Sequence, residues 1–164
     1  MAAILAPVSA LAIIATPAWA QAANTQVKDV QQAKCQVHAV LASKEGDGSI
    51  PSELKFLEEQ LKDDAFAAYK GFRLIEQKAL KLQRSKASEV SFSSGNRLAL
   101  SLLGNDDKRL KLHASLSSRD GAKDLLNTDY SIEDRGLLMI QAGSYSHEGA
   151  TGKLFFAIQC ARSG

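Results

Sequence analysis

The side chains most able to do chemistry in this chain are its histidines, its adjacent carboxylates, its serines and its two cysteines. The histidines stand at positions 38, 113 and 147, and none has a second His, a Cys or a carboxylate at a spacing that builds a metal site. His38 and His113 fall on the polar parity of alternating segments, where solvated strand residues are the plain reading. His147-Glu148, with Ser144 and Ser146 just before it, has the residue types of a nucleophile, a base and an orienting carboxylate. The G-x-S-x-G elbow that would present such a serine does not surround it. A mobile hairpin tip is the simpler reading.

Asp63-Asp64, Asp106-Asp107 and Glu58-Glu59 are paired in sequence only. Neighbours on a helix point in different directions, so Glu58 and Glu59 cannot flank one bond. Asp106-Asp107 follows Asn105 as turn chemistry, whereas a calcium loop needs alternating oxygen ligands over a longer run. No glycine pattern follows a strand and opens a helix to cradle a phosphate. No catalytic residue, cofactor or metal is therefore expected, and the chain does not read as an enzyme.

Charge adds little. The formal net charge is +2 and the pI near 8.5, with acidic and basic residues interspersed, so nucleic acid is not expected as a partner. Arg73, Lys81, Arg109 and Lys111 lie on the outward parity of strand-like segments. If those strands are neighbours they form a basic face suited to an anionic polymer or headgroup. The bland reading is that exposed strand cations protect edges from aggregation.

The elements that must position these residues follow from periodicity. Residues 1–20 carry no Lys, Arg, Asp or Glu and end in Ala18-Trp19-Ala20, the pattern of a secretory signal with an A-x-A cleavage site, though without a positive start. The apolar run barely reaches the ~18 residues of a membrane span, and Pro7 and Pro17 interrupt it. No stable span is expected after cleavage. Residues 21–33 read as a flexible leader and 34–162 as a single β-rich domain. In a chain bound for an oxidising compartment, two cysteines far apart in sequence, Cys35 and Cys160, read as one disulfide. Both sit on the apolar parity of their segments, the first and last strands, and pairing them would fasten the ends of the domain together.

Between them, Leu54, Leu57 and Leu61 recur at helical spacing after Pro51, giving an amphipathic helix over about 51–62. From Gly71 onward the signals are extended. Phe72 and Leu74 share parity with Leu80 and Leu82, but Glu76 and Lys78 interrupt the run, and a bulge is expected there. Arg109 to Leu116 alternates most cleanly, as in an antiparallel sheet with one wet face. Leu137 to Ile140 is continuously apolar, the signature of a strand covered on both sides. Residues 143–152 read as a loose, Gly-rich loop. Short strands separated by turns, with one early helix, predict a mainly β (α+β) fold: an antiparallel β-sandwich or open barrel with one amphipathic helix after the first strand.

The blocks VHAVLASKEGDGSIPSELKFLEEQL and AAYKGFRLIEQKALKL, then GLLMIQAG and GKLFFAIQ near the end, resemble a group of uncharacterised exported bacterial proteins. There a strand ending in LAS, a Pro-initiated helix and a YKxFxLL-like strand recur in that order. The resemblance implies one compact exported domain and carries no activity. The expected function is thus a non-enzymatic, periplasmic or secreted β-domain. It would bind an envelope protein or polymer, or serve as a structural or accessory subunit of a secretion or surface-assembly system. The alternative is a carrier of a small apolar ligand or lipid in a β-sandwich cavity.

Overall fold

A computed structural model of the chain describes residues 27–163. The expected signal segment, 1–20, and the first part of the expected leader lie outside the described residues. Eight strands run β1 Gln32–Ser43, β2 Gly71–Gln83, β3 Ala87–Ser91, β4 Arg97–Asn105, β5 Arg109–Ser117, β6 Asp124–Glu133, β7 Leu137–His147 and β8 Ala150–Ser163. They form two four-stranded antiparallel sheets, ordered β2-β1-β8-β7 and β3-β4-β5-β6, here called sheet A and sheet B. Read around the molecule, every strand follows its sequence neighbour, and the last returns to the first. The fold is a flattened up-and-down meander, a sandwich whose ring closes where β8 pairs with β1.

Cys35 and Cys160 stand directly opposite each other in that pairing and are joined by a disulfide, with Cα atoms 4.1 Å apart. Such a separation belongs to a pair of residues that exchange no backbone hydrogen bonds, where side chains come closest. Both cysteines are buried. The bond fits an oxidising, extracytoplasmic environment.

Two apolar layers hold the sheets. Between the sheets, Val37, Leu80 and Leu82 from sheet A and Leu98, Leu100, Leu110, Leu112 and Leu116 from sheet B join Phe156 in one cluster. Burying each of these large side chains contributes roughly 1.5–3 kcal/mol. A second cluster covers part of the other face of sheet A: Val40, Ala42, Phe155 and Ala157 pack against Leu54, Leu57, Leu61 and Phe66. Sheet A is therefore covered on both faces and sheet B on one. That is why Leu137 and Met139 face the second cluster while Leu138 and Ile140 face the first.

Several expectations shift in detail. The amphipathic helix is a 3-10 segment, Ser52–Leu57, that relaxes into one α-helical turn, α1, Glu58–Leu61. No side chain caps its start, and so short an element is held by tertiary burial of its leucines rather than by its own hydrogen bonds. The bulge in β2 falls at Ile75, since Ala39 pairs with Glu76 and Val40 with Leu74. It switches parity, so that Phe72 and Leu74 pack in the second cluster while Leu80 and Leu82 stay in the first. The expected leader is fastened where it is described: Asn105 accepts from the Val30 N–H at 2.8 Å and donates to the Lys28 carbonyl at 3.0 Å, and Asp29 pairs with Arg84.

The ring closure yields a stability prediction. Replacing both cysteines, Cys35→Ala with Cys160→Ala, lowers unfolding free energy by about 2–5 kcal/mol, read from urea denaturation against the oxidised parent. Equal midpoints would show that the β1–β8 ladder closes the ring without the bond. Leu112→Ala, in the inter-sheet core, costs a comparable 2–5 kcal/mol.

Candidate binding site at the upper rim

Odd-numbered strands end, and even-numbered strands begin, at one end of the sandwich, its upper rim. Residues far apart in sequence meet there because consecutive antiparallel strands return to the same end. The residues expected to lie in a loose loop are instead strand and hairpin. His147 closes β7, Ala150 opens β8, and Glu148 and Gly149 turn between them with φ of 47° and 82°. Positive φ at both central residues is the two-residue turn whose twist matches the flanking strands.

Along this rim runs a chain of polar contacts. Arg119 lies over the Tyr145 ring, 5.7 Å from its centroid, and Tyr145 stacks near His147 at 6.2 Å. His147 Nε2 is 3.8 Å from Glu148, whose other oxygen is 3.6 Å from Arg73. Beside Arg119, the Ser118 hydroxyl and then the Ala122 N–H hold the Asp120 carboxyl below its usual pKa. Ser144 and Ser146 do not engage His147: Lys153 Nζ donates to Ser144 Oγ at 2.9 Å, and Ser146 shares a hydrogen bond with Thr151 at 2.8 Å. The rim can bind charge, but it assembles no nucleophile with its base.

Two cavities flank the Ser43–Gly46 segment at this end. One, of 260 Å³, is lined by Lys44, Glu45, Tyr69, Ser144, Thr151 and Lys153 among others. The second, of 340 Å³, includes Leu41, Phe72, Arg73 and Ala150. Their walls stand close because two glycines let backbones touch. A Cβ on Gly71 would collide with the Glu45 carbonyl, and one on Gly152 with the Ala42 carbonyl. Of the four cations expected to form a basic face, only Arg73 belongs here. Lys81 sits on the other side of β2, paired with Lys34 of β1. Arg109 and Lys111 lie on β5, in the opposite sheet. The four do not form one face, because parity along separate segments does not say which sheet each strand joins. Lys44, Tyr69 and Lys153 went unmarked in the sequence, where each is an isolated polar residue.

The other histidines have different surroundings. His113, on the open face of sheet B, has Nδ1 2.6 Å from Asp129 Oδ1, its cross-strand neighbour. Ser101 is its partner on the other side. That Ser-His-Asp row lacks any hydrogen bond from Ser101 to His113 and lies on a flat, wet face where the sheet's own ladder occupies the backbone N–H groups. His38, expected to be solvated, is buried: the segment 52–57 folds over it, and the Phe56 ring lies 4.5 Å away. Its Nδ1 has no hydrogen-bond partner. Burial lowers its pKa, opposed by a hydrogen bond with the Ala157 backbone. Among the described residues no three His, Cys, Asp or Glu side chains are grouped to hold a metal, and no helix is long and apolar enough to cross a membrane.

Comparison with protein-family models, with curated proteins and with solved structures found no match.

His38 makes stability depend on pH. A histidine whose folded pKa is depressed favours folding fully above its unfolded pKa, about 6.5, and loses that contribution as pH falls through 6.5 toward the folded value. Denaturation midpoints measured from about pH 8 to pH 5 should fall below about pH 6.5, and His38→Leu should flatten that limb. Asp106 and Asp120, with lowered pKa values, act only at more acidic pH. An unchanged limb in His38→Leu would assign the loss elsewhere.

Proposed function

We propose that this chain is a non-enzymatic exported module, periplasmic or secreted, that binds an envelope polymer or protein through its upper rim. The observation that carries this reading is where space and charge lie. The space between the sheets is filled by leucines with no measurable exposure, among them Leu98, Leu100, Leu102, Leu110, Leu112 and Leu116. A carrier of an apolar ligand needs that volume empty. Concave surface at the rim carries cations instead: the two cavities there hold Lys44, Lys153 and Arg73. The terminal disulfide supports export, because it gives a small domain a cross-link that oxidising compartments preserve. The separation of His147 from Ser144 and Ser146 supports binding over hydrolysis.

Co-sedimentation of the oxidised protein with an insoluble envelope fraction tests this. Retention that weakens as salt rises is expected, with the native mass of the purified protein equal to that of the bare chain. No retention at low salt, or a small apolar molecule that co-purifies at one equivalent, would overturn the reading.

A further inference from the structure

The geometry points to the smaller rim cavity as a subsite for an acidic sugar unit, a pyranose ring bearing a carboxylate. This rests on the binding reading above and names the chemistry of its ligand. The cavity of 260 Å³ falls just below the ~300–1,000 Å³ of drug-sized pockets. It has room for one sugar ring with its substituents.

Its lining is mixed in a way that selects among anions. Lys153 is held by Ser144, and neither it nor Lys44 pairs with a carboxylate among the described residues. Two ammonium groups are thus left to meet an anion. Glu45, on the same lining, also lacks a cation partner there, and its N–H donates to Ser43 Oγ at 3.1 Å. That carboxylate only accepts hydrogen bonds, so a sugar hydroxyl can donate to it while a fully ionised polyphosphate has no donor to offer. Tyr69 supplies the third requirement. Its ring is fixed edge-on against Phe155, with centroids 6.1 Å apart, and lies 6.2 Å from Phe66, so a half-buried aromatic surface borders the pocket without having to be ordered on binding. The apolar C–H face of a pyranose can lie on such a ring while its carboxylate meets Lys153 and Lys44.

The walls are also preformed. Lys44 and Glu45 follow β1, Lys153 belongs to β8, and Tyr69 precedes β2. The glycine contacts at 71 and 152 lock these backbones together. The backbone therefore loses little freedom when a ligand enters.

The test uses the full oxidised protein and immobilised polygalacturonate, with dextran as the neutral polymer and long-chain polyphosphate as the non-sugar polyanion. Retention on polygalacturonate, weaker retention on polyphosphate and none on dextran are expected. Lys44→Gln with Lys153→Gln should weaken polygalacturonate binding at least about tenfold, since it removes both ammonium groups that meet the carboxylate. Lys111→Gln on sheet B should leave it unchanged, and the thermal midpoints of all three proteins should agree. If polygalacturonate binds but the double variant binds equally well, this subsite is wrong while the binding reading stands. Equal or tighter retention on polyphosphate overturns the sugar assignment. If neither polyanion nor the envelope fraction retains the protein, both readings fall.

Discussion

Everything in this molecule depends on β1 lying against β8. Sheet A consists of two antiparallel pairs, β1 with β2 and β7 with β8, and only the β1–β8 ladder joins them. The partners are separated by 125 residues at the disulfide, so the closing contact carries the largest loop entropy in the fold. Neighbouring strands can pair locally while the chain is still open, but the ring cannot shut until both ends are present. A topology of this kind folds slowly for its size. A cross-link at the closing ladder acts where the unfolded chain has most freedom to lose. It does so within the apolar layer, where Cys35 and Cys160 also fill space between the sheets.

Closure also decides what each sheet can expose. Because β1 and β8 become the central strands of sheet A, their outer face needs a cover, and residues 50–69 supply it with Leu54, Leu57, Leu61 and Phe66. The near-continuous burial of β1 from Val37 to Ala42 and of β8 from Leu154 to Ile158 follows from two covers over one sheet. Sheet B has no such layer, and β4 and β5 alternate between buried and more open positions throughout. His38 is a by-product of the cover: on a one-sided sheet it would face water, and beneath Phe56 it cannot.

How much of this was legible in the sequence depended on whether a residue's surroundings came from its own strand or from another layer. The alternation from Arg109 to Leu116 reported a one-sided strand directly, and the unbroken run Leu137–Ile140 reported a two-sided one. The inward parity of Cys35 and Cys160 was enough to place their sulfurs in the core. Parity could not reveal that Phe72 and Leu74 serve a different layer from Leu80 and Leu82, because the switch is made by one bulged residue whose effect is felt only across the ladder. The hairpin around Glu148 looked like a loop because its strands there carry Ser, Gly and Thr. Edge positions at a strand end tolerate these residues, since little burial is at stake.

The candidate site was hidden for a related reason. A face of a sheet is built from residues at period two, and a sequence displays that period; the open face of sheet B, with His113 beside Asp129, could be traced this way. Such a face is flat, however, and offers a ligand rows of side chains without enclosure. Concavity arises where strands stop at different heights and a connecting segment folds over their ends. Ser43–Gly46 does this at the upper rim, in a space that Gly71 and Gly152 leave clear of Cβ atoms. The side chains gathered there, at 44, 45, 69, 144, 151 and 153, have no common period, because the ends of four different strands bring them together. In a closed meander the residues that line such a cavity are therefore set by ring closure, and their chemistry is read from who meets whom at the rim.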